Sequence, residues 1–464
     1  MISAKDNNHG VDVEAKPIAS TPNKPRGLPP LSVRQNALWN TIGTLIYCAT
    51  NWGMSIALAK LGTPSVVGEY ALGIAVAMPV FMFSQLNLRN VLVTDVKGEF
   101  GYDEYFRTRL ALSTLAITIV AGLALFGKHT VEVAFVIFLA GLSFAFDSFS
   151  DVVYGLLQQR ERMDRIGISM AVKGIASIVL LTGCYVLTKN VAVAVGGSAL
   201  GSLIVVLFYD FPNCRKILAE HPVHGNVTTI SGLVRVGYGV KTPEDRARQR
   251  RLLNLLWVSV PLGIVLLLNS LNLNIPRFYV AKDLGNHALG IFAAMAQLLL
   301  IGQVLTTALT QPSVSRLARL FADGRRRDFG LLLLRIVGLS VVIGAVMLGG
   351  SILFGKQILT IIYTYEYSTH WNAFLWLMLA GMLWYMSLGT GMGLTAARAF
   401  KIQAVFMAVT VAASAIANWY LVPRYGLDGA AIALVISMTV RLVLGAICLA
   451  WMIFNPAPRA AQRA

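Results

Sequence analysis

The sequence predicts an all-α polytopic membrane protein, with twelve transmembrane helices in two six-helix lobes related by a pseudo-twofold along the membrane normal. Three observations carry this reading. The 464-residue chain is 56% hydrophobic and only 13% charged, with a mean hydropathy of +0.66, whereas soluble domains carry about 25% charged residues. Its apolar residues gather into runs of the length, about 20 residues, that crosses a bilayer core. The two halves of the chain also repeat each other at one constant offset, which carries Ala59 onto Ala281.

Residues 1–31 are rich in Lys, Asn, Ser and Pro and end in Leu28-Pro29-Pro30-Leu31. Nothing there can bury a core, so a disordered cytoplasmic arm is expected. It does not read as a signal peptide, because the first apolar run starts late, is too long and is followed by no small-residue cleavage site. Twelve apolar segments follow, at about 36–60, 67–93, 108–127, 131–157, 166–188, 191–209, 252–280, 287–314, 331–353, 371–396, 401–422 and 427–453. A single hydrated break divides them six and six. The expected domains are an N-terminal lobe at 32–209, a basic cytoplasmic linker at 210–251, a C-terminal lobe at 252–455 and a tail at 456–464. Backbone groups in lipid must be satisfied internally, which leaves helices or a closed barrel. Unbroken runs this long are helices and not the alternating ten-residue strands of a barrel.

The placement of Lys and Arg orients the bundle. With the N-terminus inside, inner segments carry 29 cations and outer loops carry six, one each at Lys60, Lys128, Lys189, Lys282, Lys356 and Arg424. Both termini are therefore expected in the cytoplasm. The net charge of +17 and the pI near 9.9 follow from this topology and from contact with anionic membrane lipids, so nucleic acid is not expected as a partner. Cys48, Cys184, Cys214 and Cys448 lie far apart, and the six histidines form no ligand cluster. No disulfide framework, metal site or cofactor is predicted.

The offset that carries Ala59 onto Ala281 also aligns Lys60, Gly68 and Ala71 with Lys282, Gly290 and Ala293, and sets Tyr70 against Phe292. The same shift puts Gln85 opposite Thr307 and Arg89 opposite Gln311. Each half has an even number of spans, so the halves share one orientation. Repeats of this kind are a transporter device, with the substrate held between the lobes.

Three junctions resemble a known family. Ala57-Leu58-Ala59-Lys60-Leu61-Gly62 followed by Val67-Gly68-Glu69-Tyr70-Ala71-Leu72 is similar to the helix one–two junction of Wzx-type polysaccharide and O-antigen flippases. Asn269-Ser270-Leu271, Arg277-Phe278, Leu284-Gly285 and Ala288-Leu289-Gly290-Ile291-Phe292 resemble their seventh-to-eighth junction. Pro423-Arg424-Tyr425-Gly426-Leu427-Asp428-Gly429-Ala430-Ala431-Ile432-Ala433 resembles the entry to their last helix. The resemblance covers roughly 32–455 and implies the multidrug/oligosaccharidyl-lipid/polysaccharide exporter fold. It implies a non-enzymatic flippase of the bacterial inner membrane. By alternating access this would carry undecaprenyl-diphosphate-linked oligosaccharide outward for exopolysaccharide, capsule or lipopolysaccharide O-antigen synthesis. A polysaccharide polymerase and chain-length proteins would be its protein partners. One departure stands out: Pro276 occupies the position where many relatives place an acid before the arginine of helix seven.

Charges within spans cost about 2.5–3.5 kcal/mol each on insertion scales, so each needs a partner, a cavity or a snorkelling route. Arg441 sits about 12 residues from the nearer end of its span, roughly 18 Å at 1.5 Å per residue, beyond snorkelling reach. It is expected either to bind substrate in an interior cavity or to pair with an acid such as Asp151. Arg89, with Gln85 one turn before it, and Lys173 lie near inner ends, where a cavity role competes with snorkelling. Arg277 lies near an outer end, as a substrate cation or an anchor. Asn269 and Asn272 share an arc with it of about 140° at 100° per residue, either cavity lining or interhelical glue. Arg441, Arg89, Lys173, Arg277, Gln85, Asn269 and Asn272 are thus the candidate substrate residues. A diphosphate calls for such a set, because Arg offers a fork matched to phosphate oxygens.

Ser143, Asp147, Asp151, Tyr154 and Gln158 fall at spacings of 4, 4, 3 and 4 on one face of a span. Asp147 and Asp151 are one turn apart, so either one holds a proton and couples transport or both pair with cations. Within the same fold the rivals are a lipid II flippase, expected to have two more helices, and a multidrug/cation antiporter, expected to favour interior acids. A membrane polymerase or ligase would be expected to carry a large outer loop. The longest outer segment here, about 354–370, offers only Glu366 and His370.

Overall fold

In runs this apolar, each backbone amide finds its partner four residues away, and the computed structural model is helical throughout its regular elements. It describes residues 31–95, 100–127, 129–220, 243–397 and 399–454. The expected arm to residue 30, the C-terminal tail and positions 221–242 of the expected linker lie outside the described residues.

The helices run α1 (Val33–Leu61), α2 (Pro64–Gln85), α3 (Leu88–Thr94), α4 (Tyr102–Phe126), α5 (Val131–Gln159), α6 (Met163–Thr188), α7 (Val191–Val205) and α8 (Phe211–Glu220). They continue with α9 (Pro243–Gln297), α10 (Leu299–Thr310), α11 (Val314–Ala322), α12 (Arg326–Ile362), α13 (Tyr365–Ser368), α14 (Trp371–Ala396) and α15 (Phe400–Phe454). Among the described residues ten helical runs are long and apolar enough to cross a membrane. Two of these, Leu252–Thr310 and Ile402–Phe454, span 59 and 53 residues. At 1.5 Å per residue either would reach about 80 Å or more if straight, far beyond a core of about 30 Å. Each leaves helical backbone geometry at a glycine, Gly285 (φ 84°) in the first and Gly426 (φ 58°) in the second, where only glycine takes the backbone conformation without strain.

Two boundaries differ from the sequence reading. The second span stops at Gln85, because Leu86 and Asn87 both adopt left-handed φ. Arg89 therefore sits on the separate short helix α3. The sixth span does not end at 209. A π turn, Val206–Asp210, joins α7 to α8 and carries the helix on to Glu220, because its residues point into a buried cluster and not into water.

The two halves meet along α2 and α9. A methyl group on Gly68 would stand 1.7 Å from the Asn286 carbonyl oxygen, and one on Gly290 would stand 1.8 Å from that of Pro64. The contact is reciprocal: the offset of the sequence repeat relates Gly68 to Gly290 and likewise Pro64 to Asn286. Farther along the seam a Cβ on Gly263 would meet Leu86 at 2.4 Å. Helix α1 reaches the other half through Trp52, whose Nε1 donates to the Tyr363 hydroxyl at 3.1 Å, and through Ser55, which accepts from Gln297 at 2.7 Å. One apolar cluster draws on both halves, a second joins α3, α4, α5, α6 and α8 to Leu255 of α9, and a third lies within the C-terminal half.

Candidate functional site

The acidic stripe on α5 faces five other elements of the N-terminal half. Lys173 of α6 is only 3% exposed and sits 3.2 Å from Asp147 Oδ1 and 4.0 Å from Asp210 Oδ2. Its ammonium donates to Ser150, and Ser150 and Ser169 each donate to Asp210. Because the Ser169 proton is committed to Asp210, the Tyr154 hydroxyl donates to Ser169 at 2.7 Å. Tyr47 of α1 donates to Asp147 at 3.1 Å. One turn on, the fully buried Arg109 of α4 donates to Asp151 at 2.9 Å, and Arg89 Nη1 lies 3.7 Å from the same carboxylate. Arg89 Nε also donates to Gln158 at 3.0 Å.

Three acids (Asp147, Asp151, Asp210) thus face three cations (Lys173, Arg109, Arg89). This balance explains how the charges survive in a bundle core, where an ion is tolerated only if it is paired and hydrogen-bonded. Of the two readings of Asp147 and Asp151, the geometry supplies the ion pairs, one set of cations for each acid. Lys173 turns inward and does not snorkel. Beside the network lies a cavity of about 90 Å³ lined by Tyr47, Asn51, Ser143, Asp147, Ser177 and Ser198, among others. A water needs roughly 10–15 Å³ by this measure, so several fit.

The C-terminal half is different. Arg441, on α15 beyond Gly426, is only 8% exposed, and its Nη1 donates to Asn269 Oδ1 at 3.0 Å. The pairing with Asp151 that the sequence allows does not occur, because Arg109 and Arg89 already hold that carboxylate. Arg277 Nη1 donates to Asn274 Oδ1 on its own helix at 3.2 Å. Among the described residues no carboxylate lies within 4.0 Å of either arginine. None of their nitrogens is among the enclosed, unpartnered ones, whereas Nε and Nη1 of Arg109 are. The free N–H groups of Arg441 and Arg277 therefore reach open space. Asn272 is fully buried, with both amide atoms unpartnered. Gln85 sits half-buried at the end of α2.

The structure thus separates the sequence candidates. It joins Lys173, Asp147, Asp151 and Arg89 in one network, links Arg441 to Asn269, and leaves Arg277 with Asn274 in place of the expected asparagines. Sequence reasoning missed Arg109, Asp210, Tyr47, Ser150 and Ser169. The signal for Arg109 was its place inside an apolar run; the others had none beyond their residue type. No group of three His, Cys, Asp or Glu residues suited to a metal exists among the described residues.

A family model described as polysaccharide biosynthesis protein matches residues 33–318. The chain belongs to this family. Within curated proteins, the capsular polysaccharide biosynthesis protein CapF of Staphylococcus aureus is 26% identical over 392 residues, covering 84% of this chain and 92% of that one. Solved structures share the fold at lower identity. The lipid II flippase MurJ in an inward closed conformation aligns with a TM-score of 0.65 at 12% identity, covering 89% of this chain and 87% of that one. An inward-facing multidrug resistance MATE transporter of the MOP superfamily aligns at 0.63 and 15%, covering 91% and 100%. An outward-facing MATE structure aligns at 0.53 and 17%, covering 91% and 95%.

Proposed function

We propose that this protein is a flippase that carries an oligosaccharide on an undecaprenyl diphosphate carrier outward across the inner membrane, and that its C-terminal half binds the diphosphate. The single observation that carries this reading is Arg441: a buried arginine far from either end of its span, held by one amide and facing no carboxylate. Such a cation is costly unless an anion arrives, and a diphosphate supplies one in the geometry that a guanidinium matches. Arg277 lies eight residues along α9 from Asn269, or about 12 Å, so a ligand reaching both would extend past the diphosphate.

We read Leu252–Thr310 and Ile402–Phe454 as two crossings each, divided at Gly285 and Gly426, which gives twelve spans in two six-helix lobes. The reciprocal glycine contact supports a pseudo-twofold between them. With both termini in the cytoplasm, the Gly68–Gly290 contact and the Trp52–Tyr363 bond lie on the outer side, and the Gly263–Leu86 contact holds α2 against α9 toward the inner side. Cysteine labelling from outside should reach positions 189 and 360 and spare 100 and 325; the reverse pattern would invert the orientation. An antiporter reading is disfavoured because the interior acids are already neutralised by interior cations.

The test is export. Arg441→Ala should abolish surface polymer at unchanged protein level, with lipid-linked repeat units accumulating inside. Arg441→Lys should retain part of the activity, since only the fork is lost. Normal export by the Ala variant would remove the diphosphate site from this place.

A further inference from the structure

An apolar slot of about 540 Å³ opens between α2, α4 and the first limb of α9. Val76, Val80, Leu115, Ile119, Leu267 and Leu271 form its walls, and Ser84 and His129 are its only polar side chains among the described residues. Its walls come from both halves, and it is continuous with the α2–α9 seam that Gly68 and Gly263 close. Water does not settle in so apolar a space, and an empty slot would forfeit the dispersion contacts of its lining. In a bilayer the available filler is hydrocarbon.

We propose that the slot holds one acyl chain of a bilayer phospholipid as a wedge between the halves. The dimensions fit. Leu112 to Leu123 along α4 covers about 16 Å at 1.5 Å per residue, close to half of a core of about 30 Å. The carrier's own tail is the wrong occupant on geometric grounds. At 100° per residue, Leu267, Leu271 and Phe278 share one face of α9, while Asn269, which holds Arg441, points to the opposite face. A tail in the slot could not join a diphosphate at Arg441 without crossing the helix. Because the two walls belong to different halves, rocking must squeeze or release the chain, and turnover therefore depends on the acyl composition of the membrane. This inference does not rest on the identity of the transported lipid.

The experiment is photocrosslinking of the full chain in phosphatidylethanolamine–phosphatidylglycerol vesicles doped with a phospholipid carrying a diazirine in its acyl chain. Peptide mapping should show Leu115 and Ile119 (56% and 44% exposed) labelled several-fold more than the more exposed Val342 and Val346 of α12 (58% and 69%). Filling the slot with Val76→Phe and Leu271→Trp should bring its labelling down to the surface level and leave α12 unchanged. If that variant fails to fold, Leu115→Phe at the exposed lip serves the same comparison. Equal labelling of slot and surface would overturn the proposal, as would labelling that survives filling. Displacement of the acyl probe by a prenyl diphosphate would also overturn it, by assigning the slot to the carrier.

Discussion

Positions 47 and 269 correspond under the internal repeat, on the first spans of the two halves, and they teach the main difference between those halves. Tyr47 donates to Asp147, a carboxylate already paired with Lys173. Asn269 accepts from Arg441, a cation with no acid beside it. The same architectural position therefore completes a neutral network in one half and supports a bare positive charge in the other. A balanced network resists rearrangement, because moving any member strands a charge in low dielectric. An unbalanced cation invites a ligand. The N-terminal half thus carries a balanced charge network and the C-terminal half an unbalanced cation.

The strongest way to break this comparison is to unbalance the N-terminal half. Lys173→Met should cost about 3–5 kcal/mol, the usual penalty for stranding a buried charge, read as a large fall in melting temperature and membrane yield. Adding Asp147→Asn should recover part of it. A Lys173→Met protein that melts like the parent would show that the network is not structural. Next in size, Gly68→Leu drives a side chain into the Asn286 carbonyl and should open the seam. A flexible bis-thiol crosslinker between cysteines at positions 52 and 363, whose native side chains meet through their far ends at 3.1 Å, would then react more slowly than in the parent background.

How much of this was legible in the sequence depends on where each residue sits. Apolar helices of spanning length, the α5 stripe and the paired glycines follow from periodicity and repetition, and ten such helices among the described residues, the stripe and the glycine contact are found in the fold. Arg109 escaped because it lies one residue inside the inner edge of an apolar run, where a cation ordinarily reaches water. Asp210 escaped because the run of apolar residues ends just before it, and only the π turn brings it inward. Arg441 was legible because no surface is within reach of a mid-span arginine. Its amide partner was not, since Asn269, Asn272 and Asn274 are equivalent until the helix is rotated into place.

A third prediction sharpens the comparison within the C-terminal half. Arg277→Gln should lower export less than Arg441→Ala does, because Arg277 is less buried and its partner lies on its own helix; equal losses would make the two arginines one functional unit. The smallest expected effect on stability is Asn272→Leu. A buried amide with no partner costs about 1–3 kcal/mol, so the variant should melt at or above the parent temperature, and a fall would mean that Asn272 has a partner after all. Reduced export with raised stability would mark Asn272 as a ligand-facing group.

The π turn at Val206–Asp210 has a consequence for how the chain tolerates length changes. Each π turn holds one residue more than an α turn, so removing a single residue from 206–209 would let the helix close into uniform α geometry. The deletion would leave everything after it near its present rotation relative to α7, because five π steps of about 80° turn as far as four α steps of about 100°. Forcing the turn into α geometry with all its residues kept would instead rotate the helix end by about 100°. Asp210 would then swing away from Ser150 and Ser169, and Cys214 would leave the Tyr102 hydroxyl that it meets at 3.3 Å. One extra residue, stored as a bulge, is carried without changing the phase of the helix end, and the charge count of the whole half hangs on that phase.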